Sequence, residues 1–271
     1  MNKYYAHFPV KDAIEHIGSV LESLINQSLP PSKIVIVDDG SVDGTSDVLK
    51  QYKEKYPNLI QVIRNESTTR DFARIPHLWN KALQTGYEYQ MVAAGDVTYE
   101  KDYAKKIIEK MEENDLVIAS GDYEPFTANA PHGAGRFIKQ SFFDLAYPSG
   151  KYSTVLGYET EMLTRVSMNN MKYKLYNGIV FNHLDKLGHS HNFVEWGYGM
   201  KSLGYHPIWV LGRCVSVAKT IGLKSAITMF KSYLTYKSGE SNYYSYLPED
   251  VRAFTRKEQI DKIKRILSPV A

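Results

Sequence analysis

The sequence of 271 residues is long enough for one well-buried domain with an accessory region, or for two small domains. Its hydrophobic fraction of 43% and charged fraction of 23% are ordinary for a globular chain, and a net charge of +3 is too small to argue for nucleic acid. The single cysteine, Cys214, cannot form an internal disulfide and fits a reducing compartment. Met1–Tyr5 leads into no long apolar stretch, and no run approaches the ~18 residues of a membrane span, so a cytoplasmic location is expected.

Residues 3–8 read as a first strand that Pro9 ends. Asp12 and Glu15 have capping-box spacing, which predicts a helix start there, with Ile14, Ile17, Leu21, Leu24 and Ile25 on one face. Lys33–Val37 is a continuous apolar run, the mark of a strand buried on both faces. A helix is expected from about Thr45 to Tyr56, a strand over Leu59–Ile63, and a helix over Pro76–Gln84. Tyr89–Ala94 reads as the fourth strand, Tyr103, Ile107, Ile108 and Met111 as a helix face, and Leu116–Ala119 as a fifth strand. This alternation predicts an α/β fold with a mostly parallel sheet flanked by helices. Ligands in such sheets bind at the carboxyl ends of the strands, where Asp38-Asp39 and Gly95-Asp96 both fall.

Residues 136–187 mix helix and strand signals. From Gly222 onward Leu223, Ala226, Ile227, Phe230, Tyr233 and Leu234 form one helical stripe, and Thr255 with Glu258 make a second capping-box spacing. The expected organisation is a domain over 1–215 and a C-terminal helical extension over 216–271. Lys224 and Lys231 are expected on one face of that extension, away from the apolar stripe. They are either solvated on a packed helix or laid on an anionic membrane surface, which leaves a peripheral membrane contact open.

The string Val37-Asp38-Asp39-Gly40-Ser41-Val42-Asp43-Gly44-Thr45 closely resembles the signature of glycosyltransferase family 2, which has the Rossmann-like type-A fold for nucleotide sugars. The resemblance implies a nucleotide-binding role for Asp38 and Asp39, with Asp39 on the base. It places Pro9 and Val10 against the base, and Arg70 and Arg74 near the donor phosphates, where arginine binds bidentately. Ala94-Gly95-Asp96 stands at the family's Asp-x-Asp position. Its first acid is replaced by Ala94, and Asp96 remains to hold Mg²⁺ or Mn²⁺. His183, at the end of a later strand, is implied as a second metal neighbour. Gly133 and Gly135 resemble the acceptor-side turn.

Setting Arg165 on the family's arginine puts Glu159 on the catalytic acid and Glu161 on a second, acceptor-side acid. Asn170 then falls on a helix-ending position that needs the left-handed conformation. Glu195, nine residues before Gly204, is the second choice for the catalytic acid. The resemblance covers about residues 3–185. It implies a metal-assisted, inverting transfer of a sugar from a nucleotide-diphosphate donor to a hydroxyl on a glycan, a lipid-linked acceptor or a small molecule. A non-catalytic nucleotide-sugar or glycan-binding protein, motivated by Ala94, and a sugar nucleotidyltransferase are the alternatives.

Overall fold

The computed structural model describes residues 3–66, 74–123, 130–184, 193–239 and 245–268. Two compact units divide the chain: Met1–Tyr152 with Asn170–Leu187, and Ser153–Asn169 with Gly188–Ala271.

The first unit is an eight-stranded sheet in the order β3-β2-β1-β4-β7-β6-β8-β5. Its strands are β1 (Tyr4–Val10), β2 (Lys33–Asp38), β3 (Ile60–Arg64), β4 (Tyr89–Val92), β5 (Val97–Tyr99), β6 (Ile118–Asp122), β7 (Arg136–Lys139) and β8 (Tyr173–His183). Its helices are α1 (Ile17–Ile25), α2 (Thr45–Lys55), α3 (Ile75–Ala82), α4 (Tyr103–Glu113) and α5 (Gln140–Ala146). β3, β2, β1 and β4 run parallel, as the apolar run Ile34–Val37 requires when both faces are covered. β7 is antiparallel to β4 and β6, and β5 to β8, so the sheet is mixed beyond β4.

Two local readings change. β1 runs through Pro9 to Val10. Its pairing with β4 stops at His7, so on that side the missing proline N–H removes no ladder bond. The first helix begins at Ile17 and not at Asp12. Asp12 has φ +49° and ties the loop after β1 to the loop after β2: its carboxylate accepts from Val42 N at 2.9 Å, and its own N–H donates to Ser41 Oγ at 3.0 Å. Ala13 N to Thr45 Oγ1 at 2.8 Å and Ile14 N to Asp43 Oδ2 at 2.9 Å complete the junction. The apparent capping box is thus a loop-to-loop clasp.

The second unit is helical: α6 (Tyr158–Met168), α7 (Phe193–Ser202), α8 (Pro207–Thr220), α9 (Leu223–Thr235) and α10 (Glu249–Leu267). Its core includes Met200, Val210, Cys214, Ala226, Met229 and Tyr233. The last helix starts six residues before Thr255, whose hydroxyl bonds back to Val251 O at 2.8 Å inside the helix and caps nothing. Among the described residues no helix is long and apolar enough to cross a membrane.

Candidate active site

Asp38 ends β2 and Asp39 follows it, yet the two carboxylates do different things. Asp38 is buried and accepts from Ser41 N at 3.0 Å, Arg64 Nη1 at 2.5 Å and the Ser46 hydroxyl. Burial pushes its pKa up, but the bonds from Ser46, Ser41 and Arg64 outweigh that and hold it below the ordinary carboxylate value. Arg64 also donates to Ser41 O at 3.1 Å, so Asp38 fixes the Gly40-Ser41 turn. Asp39 accepts Asn65 Nδ2 at 2.6 Å and Arg74 Nη2 at 2.8 Å, both on Oδ1. Oδ2 accepts nothing from the described residues. Lys81 donates to Asn65 Oδ1, and Lys11 Nζ reaches Asp39 O at 3.1 Å. A carboxylate is thereby framed by Lys11, Arg74 and Lys81, a setting suited to an anionic, hydrogen-bonding ligand.

Pro9 and Val10 lie at the matching end of β1. Asp39 N donates to Val10 O at 2.8 Å. Gly95 approaches the same residue from the β4 side: a Cβ there would stand 2.9 Å from Val10 Cγ2, so only glycine fits. Arg70 lies outside the described residues.

Asp96 follows Gly95 and leads into β5. β5 pairs with β8 so that Val97 faces His183, and Leu184 N donates to Asp96 O at 2.8 Å. This pairing brings His183 Nδ1 within 3.6 Å of Asp96 Oδ2, beyond hydrogen-bond reach. His183 Nδ1 is buried and has no hydrogen-bond partner among the described residues. Burial works against ionisation of Asp96, and the His183 imidazole, the Asp96 backbone N–H and the charge of His16 together outweigh it, so the pKa lies below its ordinary value. A carboxylate oxygen and an unengaged imidazole nitrogen, side by side, fit a Mn²⁺ or Mg²⁺ that takes its other ligands from water and substrate oxygens. Among the described residues no group of three or more His, Cys, Asp or Glu side chains could hold a metal by itself.

Beside this pair lies one that sequence reasoning missed. His132 Nε2 is 2.6 Å from Asp122 Oδ1, at the end of β6. The Tyr123 ring sits between the two imidazoles, 4.8 Å from His132 and 4.6 Å from His183. Asp122 and His132 are ten residues apart, so no local motif joins them. The end-of-strand position of Asp122 was the available signal, as it was for Asp38.

Gly135, expected on the acceptor side, has φ +75°, and a Cβ there would meet Tyr103 Oη at 2.4 Å. Tyr103 Oη donates to Gly135 O and accepts from Gly121 N, both at 2.8 Å. The packing around Tyr103 accounts for this glycine without a substrate. Gly133 is half-buried, two residues before it.

In the second unit Glu159 and Glu161 occupy the first turn of α6. Glu159 is exposed. Glu161, expected to face the acceptor, has no exposed surface: it is ion-paired to Arg165 and accepts from Ser153 Oγ at 2.9 Å. Asn170, two residues past the end of α6, takes φ +54°, the left-handed conformation that the motif requires. Glu195 is in the first turn of α7 and is half-buried.

Residues 7–169 match the model of glycosyl transferase family 2. The chain is 26% identical over 176 residues to glycosyltransferase GlyA of Streptococcus pneumoniae serotype 4, a match covering 65% of this chain and 24% of that protein. It is 29% identical over 158 residues to TuaG of Bacillus subtilis, covering 58% of this chain and 60% of that protein. The chain thus spans less than two thirds of either relative. The mannosyltransferase PcManGT from Pyrobaculum calidifontis, solved in complex with GDP-Man and Mn²⁺, superposes with a TM-score of 0.60 at 14% identity, over 98% of this chain and 86% of that one. That likeness shows the type-A fold, with its mostly parallel sheet and C-terminal helices. The Asp-Asp turn, the Asp96 position and the α6 motif all fall within the matched segment, and the chain belongs to glycosyl transferase family 2.

Proposed function

We propose that the chain transfers a sugar from a nucleotide-diphosphate sugar to an acceptor hydroxyl, with inversion at the anomeric carbon. The observation that carries this reading is the pairing of Asp96 with the unengaged His183 nitrogen, at the same carboxyl end of the strands as Asp39. The base and ribose lie against Pro9, Val10 and Asp39 Oδ2, and Arg74, held on Asp39 Oδ1, supplies positive charge toward the donor phosphates. Asp96 and His183 would hold Mg²⁺ or Mn²⁺, whose charge would offset that of the leaving nucleoside diphosphate. Glu159 accepts the proton of the attacking hydroxyl, and Glu161 holds Arg165 and the start of α6 in place for it. In this reading residues 1–215 carry the chemistry and 216–271 extend it.

Calorimetry with UDP and GDP, with and without Mn²⁺, tests the site. Mn²⁺ is expected to strengthen nucleotide binding in the wild type and to lose that effect in Asp96→Ala. Equal enhancement in the variant would place the cation elsewhere. Hydrolysis of donor sugars separates a transferase from a protein that only binds them.

A further inference from the structure

The apolar stripe expected on the C-terminal helices is split. Ala226, Met229 and Tyr233 of α9 face the core of their unit, whereas Leu223, Ile227 and Leu234 are between 58% and 68% exposed. The preceding helix repeats this: Val210, Cys214 and Val217 of α8 are buried, while Ile208, Leu211 and Val215 are between 47% and 57% exposed. Spacings of three, four and seven residues line each set along one side of its helix. Only Ile221 and Gly222 separate the two helices, and Ile221 is itself exposed. Between α8 and α9 lies an apolar groove of about 420 Å³, lined by Leu211, Val215, Leu223, Ile227 and Leu234, with Lys231 among them. Single exposed leucines need no explanation, but a continuous two-helix face does.

The charge around this face is of one sign. From Trp196 to Gly239 the sequence contains no acidic residue, and it carries Lys201, Arg213, Lys219, Lys224, Lys231 and Lys237. Lys219, Lys224, Lys231 and Lys237 are exposed. Lys219 is one helical turn past Val215 and Lys231 one turn past Ile227, so cations continue both apolar rows. A second copy docked through the same patch would set like charges against each other. An anionic bilayer complements both parts of the surface: acyl chains take the apolar rows, and lipid phosphates and carboxylates take the lysines. Helices of 14 and 13 residues are too short to span and long enough to lie in the interface plane.

We propose that the outer face of α8 and α9 is a membrane-docking surface that enters the headgroup region of an anionic bilayer. The inference stands apart from the transfer reaction, because no residue of the candidate active site belongs to it.

The test is sedimentation of the full chain with vesicles of phosphatidylcholine alone, and with about 30 mol % phosphatidylserine added. Binding to the anionic vesicles is expected, with weak binding to the neutral ones. Raising salt to about 0.5 M should weaken it several-fold without abolishing it, since only the lysine contribution is screened. The double variant Val215→Asp with Ile227→Asp should lose binding at least tenfold while keeping its circular dichroism and melting temperature, both positions being exposed. Lys219→Ala with Lys231→Ala should lose about tenfold on anionic vesicles alone. Three results would overturn the proposal: no binding to anionic vesicles, binding unaffected by the aspartate pair, or a doubling of solution mass that this pair abolishes, which would assign the face to a second copy.

Discussion

Two acidic pairs, one in each compact unit, are built on the same plan. In Asp38-Asp39 the first acid is buried and bound by Arg64 and two serines. In Glu159–Glu161 the second acid is buried and bound by Arg165 and Ser153. The partner acids are less engaged: Asp39 is also buried and bonded through Oδ1 to Asn65 and Arg74 but keeps Oδ2 unengaged among the described residues, and Glu159 is exposed. On the proposed reading each motif of two carboxylates is one strut and one acid left for the ligand. The order differs because Asp38 is the last residue of a strand and bonds into the turn, whereas Glu161 is two residues past Glu159, about 200° further around the helix and so on its inner face.

Substitutions sharpen this division. The largest effect is expected at Glu159→Gln, which should keep donor affinity and melting temperature and lose transfer by ~10²–10⁴-fold. Single-turnover kinetics beside donor calorimetry would measure it. Glu195→Gln should stay within about a few-fold of wild type; if it is the inactive variant, the catalytic helix is α7 and the α6 comparison breaks.

Next comes Glu161→Ala. It leaves Arg165, which is 15% exposed, without its buried partner, so a loss of about 3 kcal/mol is expected, seen as a melting shift of roughly 10 °C. A variant of unchanged stability would remove Glu161 from the struts.

Asp38→Asn should cost about 2 kcal/mol at neutral pH. The folded pKa of Asp38 is lowered, so its stabilising contribution is complete above the unfolded value near ~3.9 and disappears as pH falls through the folded value. Urea unfolding should show the gap between wild type and variant closing below about pH 4.

The smallest of these effects is at Asp39→Asn. It should preserve the fold and weaken UDP or GDP binding about tenfold, near 1.4 kcal/mol. A larger loss of stability than of affinity would make Asp39 a strut as well.

Much of the first unit is legible in the sequence because each of its elements has a local cause. Ile34–Val37 is apolar on both faces, and Asp38-Asp39-Gly40-Ser41 follows at a strand end. What the sequence hides is set by distant pairing. Val97–Tyr99 is a three-residue strand whose pattern is too short to read, and it exists because Phe181–His183 pairs with it. Arg64 reaches Asp38, and Asn65, itself held by Lys81, reaches Asp39, through the packing of β3 and α3 beside β2. The capping-box spacing at Asp12 and Glu15 starts no helix, because a side chain with capping chemistry bonds equally well to another loop. The apolar stripe on α9 identified a helix, but periodicity does not say which apolar residues find a core.

Val10 touches both ends of the candidate site. Its carbonyl fixes the Asp39 backbone, and its side chain abuts Gly95, one residue before Asp96. On the proposed reading, the base end and the cation end are thus both set from a single residue within the sheet, which would make it a gauge for ligand length. A nucleoside would then contact one jaw of the gauge and a nucleoside diphosphate both. Gly95→Ala would push the jaws apart. We expect uridine affinity to be unchanged and UDP affinity to fall, and equal losses for the two ligands would show that the gauge is not rigid.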